Sequence, residues 1–219
     1  MFSIAKATLL IVSALFPIVN PLGGAPIFLS LTNYYSTEQR KILSRRIAIN
    51  SLLLLVGSFF IGTHILAFFG ISIPVVQVGG GLVVLSAGWK MLNQNEEDEA
   101  RQDVHRTVDL RDLFSRAFYP LTLPLTVGPG SISIAITLGA NEPQEGMPYS
   151  IIGAVIGMFL IAISIYLCYR FADRLASVLG ATGMTIIMRL SSFLLVCMGF
   201  QILWNGFSAL LKTLPVFHH

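Results

Sequence analysis

Residues Tyr119–Ser133 read YPLTLPLTVGPGSIS, with three prolines, two glycines and no charged side chain. Apolar sequence continues on the C-terminal side, so this is not an ordinary surface turn. An oily segment broken so thoroughly at its centre needs a physical reason, and that reason depends on the solvent.

Composition identifies the solvent. The chain has 219 residues, of which 54% are hydrophobic and 11% charged, and its mean hydropathy is +0.76. A soluble domain carries about 25% charged residues. Between Ile47 and Trp89 there is no Lys, Arg, Asp or Glu, and His64 is the one ionisable side chain. A membrane-spanning helix needs about 20 apolar residues, so this run is long enough for two. The chain reads as an all-α integral membrane protein.

The apolar runs predict six spans: Ile4–Thr32, Ile47–Phe69, Ile73–Leu92, Phe118–Ala140, Tyr149–Tyr169 and Thr185–Leu211. Lys6 ahead of an apolar stretch resembles the start of a signal peptide. No A-x-A-like cleavage site follows, so the segment is expected to be a retained helix. Cys168 and Cys197 both fall inside spans and read as packing residues. No metal site and no cofactor is expected.

Lys and Arg set the expected orientation. Arg40, Lys41, Arg45 and Arg46 follow the first span, Lys90, Arg101, Arg106, Arg111 and Arg116 follow the third, and Arg170 and Arg174 follow the fifth. These loops are expected in the cytoplasm, with both termini on the periplasmic side of a bacterial inner membrane. The net charge of +3 reflects this bias and gives no reason to invoke nucleic acid.

The longest polar stretch, NQNEEDEARQDVHRTVDLRD (Asn93–Asp112), is read as a solvated linker. It divides the chain into a first three-span unit (1–92), a linker (93–117) and a second unit (118–219).

The two units resemble one another. FPIVNPLGGAPIF (Phe16–Phe28) aligns without a gap on YPLTLPLTVGPGS (Tyr119–Ser131), matching Pro17, Pro21 and Pro26 to Pro120, Pro124 and Pro129. A weaker echo joins Val76–Gly88 to Met188–Gly199 and sets Gln77 opposite Arg189. Each unit has an odd number of expected spans, so the second must enter the membrane from the opposite face. The expectation is an inverted-topology repeat whose first and fourth spans are broken at equivalent places, the usual sequence pointer to a transport site.

Proline removes a backbone donor and clashes with the preceding turn. In hydrocarbon each unpaired backbone group costs several kcal/mol, so broken helix survives only where protein buries it or water reaches it. The two segments are therefore expected to turn inward. A helix starting after Pro26 or Pro129 would present free amides and a positive dipole end to an anionic group. Loop carbonyls would favour a cation, and the two together suit a zwitterion such as a small amino acid. The candidate residues are Asn20, Pro21, Gly23, Gly24, Pro26, Thr122, Thr126, Gly128, Pro129, Gly130 and Ser131, with Ser133 nearby. Gln77 and Arg189 are candidates for gating or coupling, although Arg189 also suits snorkelling.

NPLGGAPIF, FGIS (Phe69–Ser72), GGGLVVL (Gly79–Leu85), PLTVGPGSI, TGM (Thr182–Met184) and MRL (Met188–Leu190) resemble the MarC family of bacterial inner-membrane proteins over essentially the whole chain. That resemblance implies kinship with lysine-exporter-type small-metabolite transporters. It carries Asn20, Pro21, Gly23, Pro26, Pro124, Gly128, Pro129 and Gly130 over as motif residues. Where related sequences have PLAxPLxAGPG this chain has PLTLPLTVGPG, so Thr122 and Thr126 add hydroxyls.

The expected function is a carrier, by direction an exporter, of a small neutral or zwitterionic metabolite by alternating access. Coupling to Na+ or H+ and assembly into a homo-oligomer are left open. The alternative is a channel lined by facing re-entrant loops. An enzyme is not expected, because the spans lack paired aspartates and HExxH, and nothing orients Ser131 towards His64.

Overall fold

A computed structural model describes residues 2–93, 114–141 and 147–212. Most of the 93–117 linker lies outside these residues. The described residues form eight helical segments: α1 (Phe2–Val19), α2 (Pro21–Leu31), α3 (Thr37–Phe68), α4 (Ile73–Leu92), α5 (Ala117–Thr126), α6 (Pro129–Ala140), α7 (Met147–Arg170) and α8 (Ala172–Leu211). Five helical stretches are long and apolar enough to cross a membrane, and six if the bent pair α5–α6 is one span.

Local chemistry sets the boundaries and corrects several expectations. The second span was expected from Ile47, but α3 begins at Thr37. Ser36 accepts from the Gln39 amide at 3.3 Å, and Gln39 Oε1 accepts from the Ser36 amide at 2.9 Å. This capping box starts the helix early, so Arg40, Lys41, Arg45 and Arg46 lie on a helix rather than in a loop. At its other end α3 stops before Gly70, whose φ of 67° only glycine adopts at little cost. Pro74 then sits in the first turn of α4, where no amide donor is needed. In α8, Gly180 (φ 66°, ψ 180°) separates a short leading segment, 172–179, from the apolar span Thr182–Leu211.

The first broken span also differs from expectation. The break is at Asn20; α2 starts at Pro21 and runs through Pro26 instead of starting after it. In the fourth span α5 and α6 meet at a bend of 71°. Tyr119 and Leu123 are extended inside α5, and the Tyr119–Pro120 and Leu123–Pro124 bonds are cis.

Lipid tails are as apolar as leucine, so helices in a membrane associate through close contact rather than through the hydrophobic effect. Glycines provide that contact here. Gly153 and Gly157 of α7 admit Ile4, Thr8 and Ile11 of α1, and Gly139 of α6 lies on the backbone of Phe59 in α3. The seam between α4 and α8 is reciprocal. Gly81 abuts Gly199 and Leu203, and Gly199 abuts Gly81 and Leu85; Gly88 meets Ser192 and Val196, while Gly206 meets Pro74 and Val78. The two helices therefore run antiparallel. The reciprocal contacts make Gly81 and Gly88 of α4 the counterparts of Gly199 and Gly206 of α8, whereas the expected echo had set Gln77 opposite Arg189. A core of Ile11, Leu15, Phe28, Leu55, Met158 and Tyr169 ties α1, α2, α3 and α7 together, while Leu9, Leu53, Ile61 and Phe159 point outward.

Within the glycine run, a Cβ on Gly81 would meet the backbone of Gly199 and Leu203, whereas one on Gly79 would meet nothing within 4 Å. Replacing Gly81 by Val is expected to cost about 1–3 kcal/mol by forcing the seam apart. Gly79→Val should leave stability unchanged. Melting temperatures of the two variants in detergent check this contrast.

Candidate functional site

The first break rests on one residue. Asn20 has φ 48° and ψ 59°, the left-handed region that Asn tolerates because its short amide bonds locally. Its N–H donates to the Phe16 carbonyl and its carbonyl accepts from Gly24 N–H, both at 2.9 Å. Its Oδ1 accepts from Gly23 N–H at 3.1 Å. The chain thus leaves helical geometry for a single residue with its main-chain groups paired. One polar atom is left over: Asn20 Nδ2 is buried without a hydrogen-bond partner.

The second break is handled by hydroxyls. Thr122 donates to the Ala117 carbonyl at 2.6 Å and Thr126 to the Leu121 carbonyl at 2.7 Å, each reaching five residues back. Val127 N–H donates to the Thr122 carbonyl at 2.9 Å, again five residues back. These bonds reach one residue further back than the α-helical ladder and supply donors to carbonyls of a segment in which Pro120 and Pro124 have no N–H to give.

The two breaks are tied together through Tyr169. Its hydroxyl lies 3.0 Å from Thr126 Oγ1; the Thr126 proton is already given to Leu121, so the tyrosine is the donor. Its ring stacks on Phe28 of α2 at 4.7 Å and 9°. Gly24 provides the necessary space, since a Cβ there would collide with the Tyr169 hydroxyl.

Helix α6 starts at Pro129 with Gly128 at its cap position and no side-chain cap. Ser131 Oγ donates to the Gly128 carbonyl at 2.9 Å. The amides of Gly130 and Ser131 therefore stand at the positive end of the helix without intrahelical partners.

A cavity of about 320 Å³ joins these features. It is lined by Asn20 and Gly24 on one side and by Thr126, Gly128, Pro129, Gly130 and Ser131 on the other. Its walls are Val83, Val84 and Ala87 of α4 and Leu195 of α8, and among the described residues Lys90 is the ionisable one that lines it. Among the described residues no cluster of His, Cys, Asp or Glu is placed to hold a metal ion.

Seven of the candidate residues, together with the motif residue Pro124, thus meet at one cavity, and the other candidates lie elsewhere. Gly23 packs on Ser191, and Pro21 and Pro26 belong to the turns of α2. Thr122 lies 3.5 Å from Asn50 Nδ2. Ser133 donates to the Val76 carbonyl at 2.9 Å. Gln77 packs on Gly206, and Arg189 is exposed on α8; neither lines the cavity. The sequence reading missed Lys90 in this role, having counted it only as a loop-edge charge. Its spacing from Ala87 and Val83, about one and two helical turns along α4, is the signal that places all three on one face.

Comparison with known proteins adds the family. Residues 5–211 match the model of the MarC family integral membrane protein. The UPF0056 inner membrane protein MarC of Salmonella typhimurium is 31% identical, over 97% of this chain and 99% of its own length. That of Escherichia coli O1:K1 is 30% identical over the same shares. No solved structure matches the chain.

The Tyr169–Thr126 bond is fully buried, so removing one partner is expected to cost about 1–3 kcal/mol. The double variant Tyr169→Phe/Thr126→Val should cost clearly less than the sum of the two single changes. A double-mutant cycle on thermal unfolding in detergent measures that difference.

Proposed function

The chain belongs to the MarC family of integral membrane proteins, and from that premise we propose that it is a carrier of small neutral or zwitterionic metabolites such as amino acids. The observation that carries this reading is the cavity shared by the two proline-broken segments. Its volume of about 320 Å³ lies at the small end of ligand pockets, which favours a metabolite over a drug-sized molecule. The substrate carboxylate would face the Gly130 and Ser131 amides, with the Asn20 amide and Lys90 as further donors. The ammonium would face carbonyls of the 124–128 turn.

Alternating access follows if the units 1–92 and 118–219 are inverted repeats. The reciprocal glycine seam supports this. So does the pattern of packing partners: α1 and α2 pack on α7 as α5 and α6 pack on α3, and α2 packs on α8 as α6 packs on α4. Exchanging the units carries Val83, Ala87 and Lys90 of the present cavity onto Gln201, Asn205 and Ser208 of α8. Gln201 Nε2 donates to Asn205 Oδ1 at 2.9 Å on an exposed face, an expensive placement if that face met only lipid. In the opposite-facing state this pair would line the cavity. We place both termini on the periplasmic side by the Lys and Arg distribution.

Two flux predictions test this reading in liposomes with labelled amino acids. Ala87→Phe fills the cavity from an exposed wall position and should abolish saturable flux while the protein stays folded. Lys90→Gln should weaken apparent affinity by roughly tenfold, as loss of a bond to a charged group implies. Steady ion conductance without saturable flux would establish a channel instead. For the second state, Asn205→Leu should cut flux by about tenfold with the melting temperature unchanged or raised. A residue that only touched lipid would leave flux untouched.

A further inference from the structure

A second concavity, of about 530 Å³, lies between α3 and α7, away from the candidate site. Along α3 its lining changes from Glu38, Lys41 and Arg45 to Ile49 and Leu52; along α7 it is lined by Tyr166, Ile163 and Phe159. The charged end lies beside the ion pair between Arg40 and Asp173 at 2.6 Å, which joins the start of α3 to the start of α8. One end of the groove is thus cationic and the rest is apolar, with its apolar side chains turned outward.

The four basic residues of this turn are used differently. Arg40 is held by Asp173, and the Arg46 guanidinium sits 4.4 Å from the centre of the Phe114 ring. Lys41 has only a loose pairing with Glu38 at 3.9 Å, both side chains being well exposed, an arrangement that contributes little. Arg45 makes no ion pair or ring contact among the described residues. Lys41 and Arg45 are the two that line the groove.

We propose that this groove seats one anionic phospholipid, with its phosphate between Lys41 and Arg45 and an acyl chain along Leu52, Phe159 and Ile163. A headgroup carrying its own ammonium or choline would set that cation against Lys41 and Arg45, so a phosphatidylglycerol-type headgroup fits best. A second copy of this chain fits worse. A two-fold contact through this face would bring Lys41 and Arg45 against the same pair in the partner, with one Glu38 each to offset them.

The test uses the full chain in mild detergent, with native mass spectrometry of bound phosphatidylglycerol or phosphatidylcholine of identical acyl chains. The wild type should retain phosphatidylglycerol about tenfold or more in preference, as two surface cations imply. High salt should reduce that preference in the wild type itself. Lys41→Gln/Arg45→Gln should level the two lipids, and Lys212→Gln, at a distant cation, should not. Ile163→Trp, which fills the apolar half, should lower retention of both. Equal retention by the wild type, or a preference surviving in the double variant, overturns the proposal. So does a dimer that Ile163→Trp dissociates while bound lipid is unchanged, which would make the groove an interface between copies.

Discussion

In hydrocarbon a main-chain amide or carbonyl has no water to turn to, and this structure is organised around that constraint. A continuous helix pairs every such group internally, but two spans here carry prolines that remove backbone donors, and both spans are broken. Each break is repaired in its own way. At Asn20 a single left-handed residue keeps its own N–H and carbonyl bonded and uses its Oδ1 for Gly23. At 117–127 two threonine hydroxyls and one amide reach carbonyls five residues back. Unpaired donors are left at the cavity: the Asn20 Nδ2 amide and the first amides of α6.

The repairs hold only if the broken segments are kept away from lipid, which is a matter of packing. With no hydrophobic drive between helices, contact area and fit decide the arrangement. Glycine seams therefore occur where whole helices cross, α1 on α7, α3 on α6 and α4 on α8. Tyr169 performs a second task. Stacked on Phe28 and bonded to Thr126, it binds α2 and α5 to the same side of α7. The position of one break relative to the other is thus set by a side chain outside both.

This explains which features were legible in sequence. Hydropathy and the charge-free run Ile47–Trp89 identify the solvent, and the matched prolines identify the segments that meet at the cavity. The location of the first break was also written, in the Asn20–Pro21 dipeptide, a turn signal, but Gly23, Gly24 and Pro26 are equally strong break signals a few residues further along. Ser36-x-x-Gln39 announces the early start of α3, though the cations after it resemble a loop. Tyr169 and Lys90 were not legible, because their roles depend on which faces the tertiary packing turns together. The α4–α8 register was hidden for the same reason. Composition aligns Gln77 with Arg189 as readily as Gly81 with Gly199, and only backbone proximity separates the two alignments.

The cavity is not centred on the α4–α8 seam, and that asymmetry bears on mechanism. Five of its lining residues, Val83, Val84, Ala87, Lys90 and Met91, come from α4, while α8 contributes Leu195. The two breaks are unequal as well, one lying within the single span Ile4–Leu31 and the other bent by 71°. Two copies of one ancestral unit in identical conformations would give a symmetric site that opens equally to both faces, which is the geometry of a pore. Unequal conformations of related units give a site that leans one way, and exchanging those conformations makes it lean the other. Val84, Leu195 and Ile202 pack together as one buried cluster across α4 and α8, whereas the flanking positions differ, Ala87 and Lys90 on one helix and Asn205 and Ser208 on the other. Were the two units to exchange conformations as proposed, a cationic lining in one state would give way to a neutral amide lining in the other.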